Sequence, residues 1–355
     1  MSTDNMIAAS ASAASASSPQ EVRIPRRGKY LALILAGCAA QPPPAPAPHD
    51  EWDDRLAARD VDYHAALRIA ALRLTGDLPT LAEIERVQTR EDYLDQIHAY
   101  LAGEQLPRQM LAYWTDTMKL EGAAPAFVAQ LVTDDRSYLE FVRVLEDPQM
   151  LAKYYSNFGF RRVRWLQEVF ECSKFPAEIA AAPTDVGGAT PYTGTFPFES
   201  IAGFATGGRV NFRDTSSVVC ANCHSNLNHI APVFAHYDDT GQYSPDFVVP
   251  TPLPGNPTAQ PSDYLPAGEG LAWRHGVPIT DMASLERAVA ADPATAQCAI
   301  SRLWNWALGK SDIVDDAQKV PADTIADQVA EFSGDGYRIK NALYRIFTSD
   351  DFVRF

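Results

Sequence analysis

The sequence predicts a mainly α-helical protein: a helical N-terminal domain over residues 51–150, then a second helical module over 151–355 that carries a long Pro/Gly-rich loop. Three observations point there. Apolar residues recur at the i, i+3, i+4, i+7 spacing of a buried helix face. Capping pairs and glycines stand where those stripes begin and end. Between 51 and 149 nothing shows the alternation and turn residues of a β-hairpin.

The elements follow in order. Leu67, Ala70, Ala71 and Leu74 form the first stripe, and Gly76 stops it. Thr80 and Glu83 make a capping box ahead of Leu81, Ile84 and Val87. Leu94, Ile97 and Leu101 form the next stripe, closed by Gly103. Met110, Trp114 and Met118 share one face of a fourth helix. Ser137 and Glu140 read as a second capping box, opening a helix that runs to Pro148. His64 and His98 lie within these helices and read as surface or packing residues; Met110 and Met118 read as core. In the second module, Met282, Leu285 and Val289 mark a helix, and Asp292-Pro293 caps and opens the helix of Cys298, which ends at Gly309. Pro321 starts a helix with Ile325, Val329 and Phe332, and Tyr337 to Phe347 is the last.

The region ahead of this body has a different character. Residues 1–20 are mostly Ala, Ser and small polar side chains, which have nothing to pack. Arg23, Arg26, Arg27 and Lys29 then precede the apolar run Tyr30 to Ala36, too short to span a bilayer stably. A basic region before a short apolar run reads as an export signal, so residues 1–37 are assigned as leader and signal peptide. The run ends Leu35-Ala36-Gly37-Cys38, which resembles the lipobox of bacterial lipoproteins. That resemblance implies that Cys38 becomes the lipidated first residue. Residues 38–50 follow as a polyproline-like tether. The expected location is the periplasmic side of a bacterial membrane. Ala39 and Ala40 lack the acidic retention signal of some inner-membrane lipoproteins, which favours the outer membrane.

Charge narrows the partners. The 355 residues carry a formal charge of −15, which argues against nucleic acid, because a phosphate-binding surface needs a basic field. There are five cysteines. Cys172 and Cys298 read equally as one disulfide or as two buried thiols, since a sequence carries no Cα separation.

Cys220-Ala221-Asn222-Cys223-His224 reads C-x-x-C-H, the attachment signature of a c-type haem. Two thiols one helical turn apart can bond to the two vinyl groups of a porphyrin, and the adjacent imidazole can reach the iron. A zinc half-site needs two more ligands at a recognisable spacing, and no second C-x-x-C or H-x₃-H exists. A thioredoxin-like dithiol needs a βαβ context that the pattern lacks. The expected cofactor is therefore one covalently attached haem c. The loop from Gly241 to Trp273 is too long for an ordinary connection and too apolar for a linker, so it reads as ordered and wrapped over the haem.

Several segments resemble the planctomycete-type cytochrome domain proteins, exported proteins of largely unknown function built around C-x-x-C-H motifs. Leu72 to Thr80 resembles their "LTG-x-LPT" segment, and Arg161-Arg162-Val163-Arg164-Trp165 their "RRGKW" segment. Phe175-Pro176, a Gly/Pro/Thr-rich stretch and Phe212-Arg213-Asp214 follow in the same order. Cys223 to Gly241 is similar to "CHxxIDPLGFALENFDxxG", and Cys298 to Lys310 is similar to the "RLWxYxLGR" helix. The similarity is strong over about 150–355 and faint over 60–150. It implies haem and export more than any reaction. His229 and His236 depart from it, standing where the family usually has Pro and often has Asn.

His224 is the proximal iron ligand on this reading. The distal candidates are His275 and Met282, which the long loop can carry to the other face, and then His236. His229, Arg213 and Arg274 are candidate partners for the haem propionates, with Arg209 a further basic residue nearby. The expected function is electron transfer, as a carrier or as a subunit of a membrane-associated redox complex. Two alternatives are a haem enzyme with an open distal site and a structural lipoprotein in a larger membrane complex. No Ser-His-Asp, P-loop or dinucleotide fingerprint supports other catalysis.

Overall fold

The computed structural model describes residues 54–55, 58–120, 126–156, 158–173, 205–206, 209–210, 218–250, 258–265, 267–310 and 320–355. The leader, Cys38, the Pro-rich tether and Arg213 lie outside them.

The fold is mainly helical, as the stripes predict. Helix α1 (Tyr63–Leu74) starts where the Asp62 carboxylate accepts from the backbone N–H groups of His64 and Ala65, at 3.0 and 2.9 Å. The Thr80–Glu83 capping box opens α2 (Leu81–Arg86), and a Thr89–Asp92 box opens α3 (Arg90–Ala102). Next come α4 (Gln105–Thr117) and α5 (Ala126–Thr133). Met110, Trp114 and Met118 are fully buried, as their shared face requires.

The segment after Ser137 departs from expectation. Tyr138–Glu146 is a 3₁₀ helix, and the Ser137 side chain caps nothing. Ser137 instead pairs with Arg338, and the N–H of Tyr138 donates to the Tyr337 carbonyl at 2.8 Å. Tyr138, Phe141 and Val144 are all buried at a spacing of three, the repeat of a 3₁₀ helix.

Asp147 then caps α6 (Pro148–Lys153), and α7 (Phe160–Glu171) follows. Two short strands, β1 (Ala205–Thr206) and β2 (Arg209–Val210), pair antiparallel. Helix α8 (Val218–Phe234) carries the C-x-x-C-H motif. After α9 (Pro261–Tyr264), β3 (Ala272–Trp273) and β4 (Val277–Pro278) form a second antiparallel pair, joined by a 3₁₀ turn at Arg274–Gly276. Asp281 caps α10 (Met282–Ala291), and Asp292 caps α11 (Pro293–Ala307) with Pro at its first position. The helix expected from Pro321 begins later, as α12 (Ala326–Gly334), because Pro321 and Asp323 accept in three-residue turns from Thr324 and Ala326. The chain ends with α13 (Ile339–Thr348) and α14 (Asp350–Val353).

The core runs across residue 150. Helix α1 packs on α3, α11 and α14, and α3 packs on α13. The Tyr93 hydroxyl donates to the Phe347 carbonyl at 2.8 Å, and the Trp165 indole donates to the Met118 carbonyl at 2.9 Å. Asp54–Phe355 forms one compact unit. Its ends meet, with Asp60 and Phe355 exchanging both backbone hydrogen bonds, at 3.2 and 2.9 Å. No described helix is long and apolar enough to cross a membrane.

Helix α7 is the spine of the second half. Almost every residue from Arg162 to Glu171 is buried, because α8 packs on it from one side and α11 from another. Charged side chains on such a helix must find partners within the protein.

Candidate functional site

The backbone of α8 is helical through the motif, so Cys220, Cys223 and His224 stand at i, i+3 and i+4 on its first turns. These positions share one face. The side chains of the two cysteines are outside the described set. Those of His224 and Asn228 are within it. His224 Nδ1 lies 2.9 Å from Asn228 Oδ1. An amide oxygen only accepts, so Nδ1 carries the proton and the ring's lone pair resides on Nε2. Burial holds the imidazole below its ordinary pKa, and the Asn228 bond partly opposes that.

The surroundings of His224 are aromatic. Phe160, the first residue of α7, meets the imidazole edge-on at 4.8 Å between ring centroids. Tyr264 packs against Phe160 at 5.8 Å, and Phe247 against Tyr264 at 5.8 Å. The Tyr264 hydroxyl donates to the Phe158 carbonyl at 3.3 Å, and burial raises its pKa. Gly159 makes this approach possible. Its φ is +75°, and a Cβ there would lie 2.7 Å from the Ala231 carbonyl oxygen, inside contact distance.

Arg162 fixes how α7 meets the far end of α8. The residue is 1% exposed. It donates to the carbonyls of Leu151, Phe234, Tyr237 and Asp238 at 2.7–2.8 Å. Burial pulls its pKa down to about 10, so it remains charged at neutral pH. The last turn of α8, and the Asp238–Gln242 turn after it, are thus tied to α6 and α7 by one side chain.

The C-terminal end of α7 holds a different cluster. Cys172 and Cys298 are joined in a disulfide with their Cα atoms 5.4 Å apart, which selects one of the two states the sequence left equal. Arg302 is buried beside it, donating to Cys172 Sγ at 3.2 Å and to the Thr117 and Glu168 carbonyls at 3.3 and 2.8 Å. Arg274 Nη1 lies 2.8 Å from Glu171 Oε2 and 3.4 Å from Asp292 Oδ2. The Glu171 contact is a close approach, with no aligned hydrogen bond to its oxygens. Burial, with the nearby Asp292, pushes Glu171 up to about 8 against the pull of Arg274. The Trp273 indole donates to Asp292 Oδ2 at 3.0 Å, tying β3 to the start of α11.

The other residues singled out in the sequence are distributed as follows. Strand β3 packs on both α8 and α10. His275, in the turn after β3, and Met282, buried at the start of α10, therefore flank the strand that touches the motif helix; the His275 side chain is outside the described set. His236 lies beyond the C-terminal end of α8. About 15 Å of helix rise separates His224 from Phe234. The His236 ring packs on Tyr243 and Phe247 and meets the Ser244 carbonyl at 3.2 Å. His229 Nε2 is 3.2 Å from Glu269 Oε2. Arg274, read from sequence as a candidate propionate partner, lies against Glu171 and Asp292 through Nη1. Of Arg209 only the backbone is described, in β2. In the long loop, Val249, Ala259, Tyr264 and Leu265 are buried.

Sequence reasoning missed Asn228 and Phe160. A signal for Asn228 was present, since an acceptor four residues after a histidine shares its helix face. Glu171, Arg274 and Asp292 come together only through the fold. The chain matches no protein-family model, no curated protein and no solved structure.

Proposed function

We propose that this protein is an exported, lipid-anchored monohaem c-type cytochrome that passes electrons to or from a partner redox protein or membrane redox complex. The observation that carries the reading is the C-x-x-C-H motif on the first turns of α8, with its histidine held by Asn228 in the tautomer that presents Nε2. The donor set suits the group. Cys220 and Cys223 would hold it by two covalent bonds, and His224 would bind its iron. A bound haem supplies a one-electron couple.

The chain's own residues do the rest. Phe160, Tyr264 and Phe247 keep the histidine side apolar, and the packing of α7 fixes the helix that bears all three attachment residues. His275 and Met282 are the distal candidates that stand beside strand β3. The Cys172–Cys298 disulfide is consistent with an oxidising compartment, where c-type attachment also takes place. Lipidation at Cys38 and the Pro-rich tether would hold the body at the periplasmic side of a membrane. The acidic composition suits a salt-sensitive encounter with a basic partner patch.

The test is a haem stain after denaturing electrophoresis of the exported protein, followed by spectra of the reduced form with and without carbon monoxide. The expected result is a stain that survives denaturation, is lost in the Cys220→Ala/Cys223→Ala variant, and belongs to iron that resists carbon monoxide. An unstained wild-type protein sinks the haem reading. Rapid carbon monoxide binding replaces the carrier with an open-iron enzyme.

A further inference from the structure

We propose that Asn228 is a positioning residue for His224 that sets how strongly the imidazole donates to the iron, and hence the reduction potential of the protein. This rests on the haem reading above. The argument starts from cost. Asn228 is 3% exposed, on the buried side of α8 with Leu227, Ile230 and Ala231. An amide in that setting costs about 1–3 kcal/mol unless it is hydrogen-bonded, and an apolar residue would pack there without that cost. The bond observed is to His224 Nδ1, at 2.9 Å and one helical turn away.

That bond has two consequences. It selects the tautomer, so Nε2 rather than Nδ1 is the ligating atom. It also fixes the strength of the pull on the Nδ1 proton. An acceptor at Nδ1 raises the basicity of the opposite nitrogen, which stabilises the oxidised iron. A neutral amide oxygen is a moderate acceptor, while a carboxylate in the same place would pull harder, because charge-assisted hydrogen bonds are roughly twice as strong. The residue at 228 is therefore a graded control. Phe160 meets the ring edge-on at 4.8 Å between centroids and adds a packing contact to the one Asn228 makes.

The experiment is spectroelectrochemical titration of the haem-loaded protein at fixed pH and salt, for wild type, Asn228→Asp and Asn228→Leu. Asn228→Asp is expected to shift the equilibrium toward the oxidised form by about tenfold, a fall of about 59 mV for a one-electron couple. Asn228→Leu, of similar volume and with no acceptor, is expected to shift it the other way by at least about threefold. A purely structural role would lower stability in both variants without opposite shifts in potential. Shifts of the same sign, or both within about twofold of wild type, overturn the proposal. If Asn228→Leu does not fold, Asn228→Asp decides alone, and a potential that is not lowered overturns it. A wild-type protein without a haem stain defeats the underlying reading instead, so the two failures are distinguishable.

Discussion

The two ends of α7 differ in what holds them. At the N-terminal end, the buried Arg162 is satisfied by four backbone carbonyls, and Phe160 closes on His224. None of those carbonyls titrates or is reduced. At the C-terminal end, the partners are a disulfide and a carboxyl cluster around Arg274. These respond to reductant and to pH. One rigid helix therefore joins a permanent end, which faces the proposed haem helix, to a conditional end about 16 Å away by helix rise. The contrast teaches that conditions can loosen one end while the other keeps the proximal histidine in place.

Arg162→Ala should have the largest effect. It leaves buried carbonyls of α6, α8 and the following turn without their donor, at a cost of about 3–5 kcal/mol in urea denaturation. A loss below about 1 kcal/mol would show that the permanent end is not held by this residue. Next, Cys172→Ser/Cys298→Ser should cost about 2–4 kcal/mol by the same measurement, since the bridge spans 126 residues of chain. The near-ultraviolet dichroism of the aromatics around His224 should change little. If it collapses, the ends are not separable.

The smallest expected effect is that of pH. The ordinary value for Glu171 is 4.5 and its folded value is about 8, so the folded state holds the proton more tightly. Its contribution is full below about pH 4.5 and is lost as pH rises through 8, with roughly 2–3 kcal/mol of it lost between pH 6 and 9. The urea midpoint should fall between pH 6 and 9 in wild type and fall less in Glu171→Gln. Glu286, raised to about 7 by burial and by Glu146, has the same sign in both proteins, so their difference isolates Glu171. Identical profiles would remove Glu171 from the conditional end.

Legibility in the sequence followed the range of each interaction. The Thr80–Glu83 box and the Asp292-Pro293 start act within one helical turn, and both stand as the sequence implies. Ser137–Glu140 matches the same local pattern, but Arg338, 201 residues away, holds Ser137 extended, and a spacing of three among Tyr138, Phe141 and Val144 favours the tighter helix. At the candidate site, the motif and the Asn228 acceptor lie within nine residues of α8. Glu171, Arg274 and Asp292 come from three elements, and a window along the chain cannot see them meet.

The pairing of Asp60 with Phe355 has a mechanical consequence. The two ends of the described body run antiparallel, with Asp62 also donating to the Val353 carbonyl at 2.9 Å. A force pulling residue 60 away from residue 355 would load these bonds singly, as a zipper opens, and would peel α14 from α1 before reaching the buried helices. The body would yield first at its seam, while α7 and the motif helix stayed shielded from tension. Joining the two ends through a short peptide would close that seam and turn the fold into a ring.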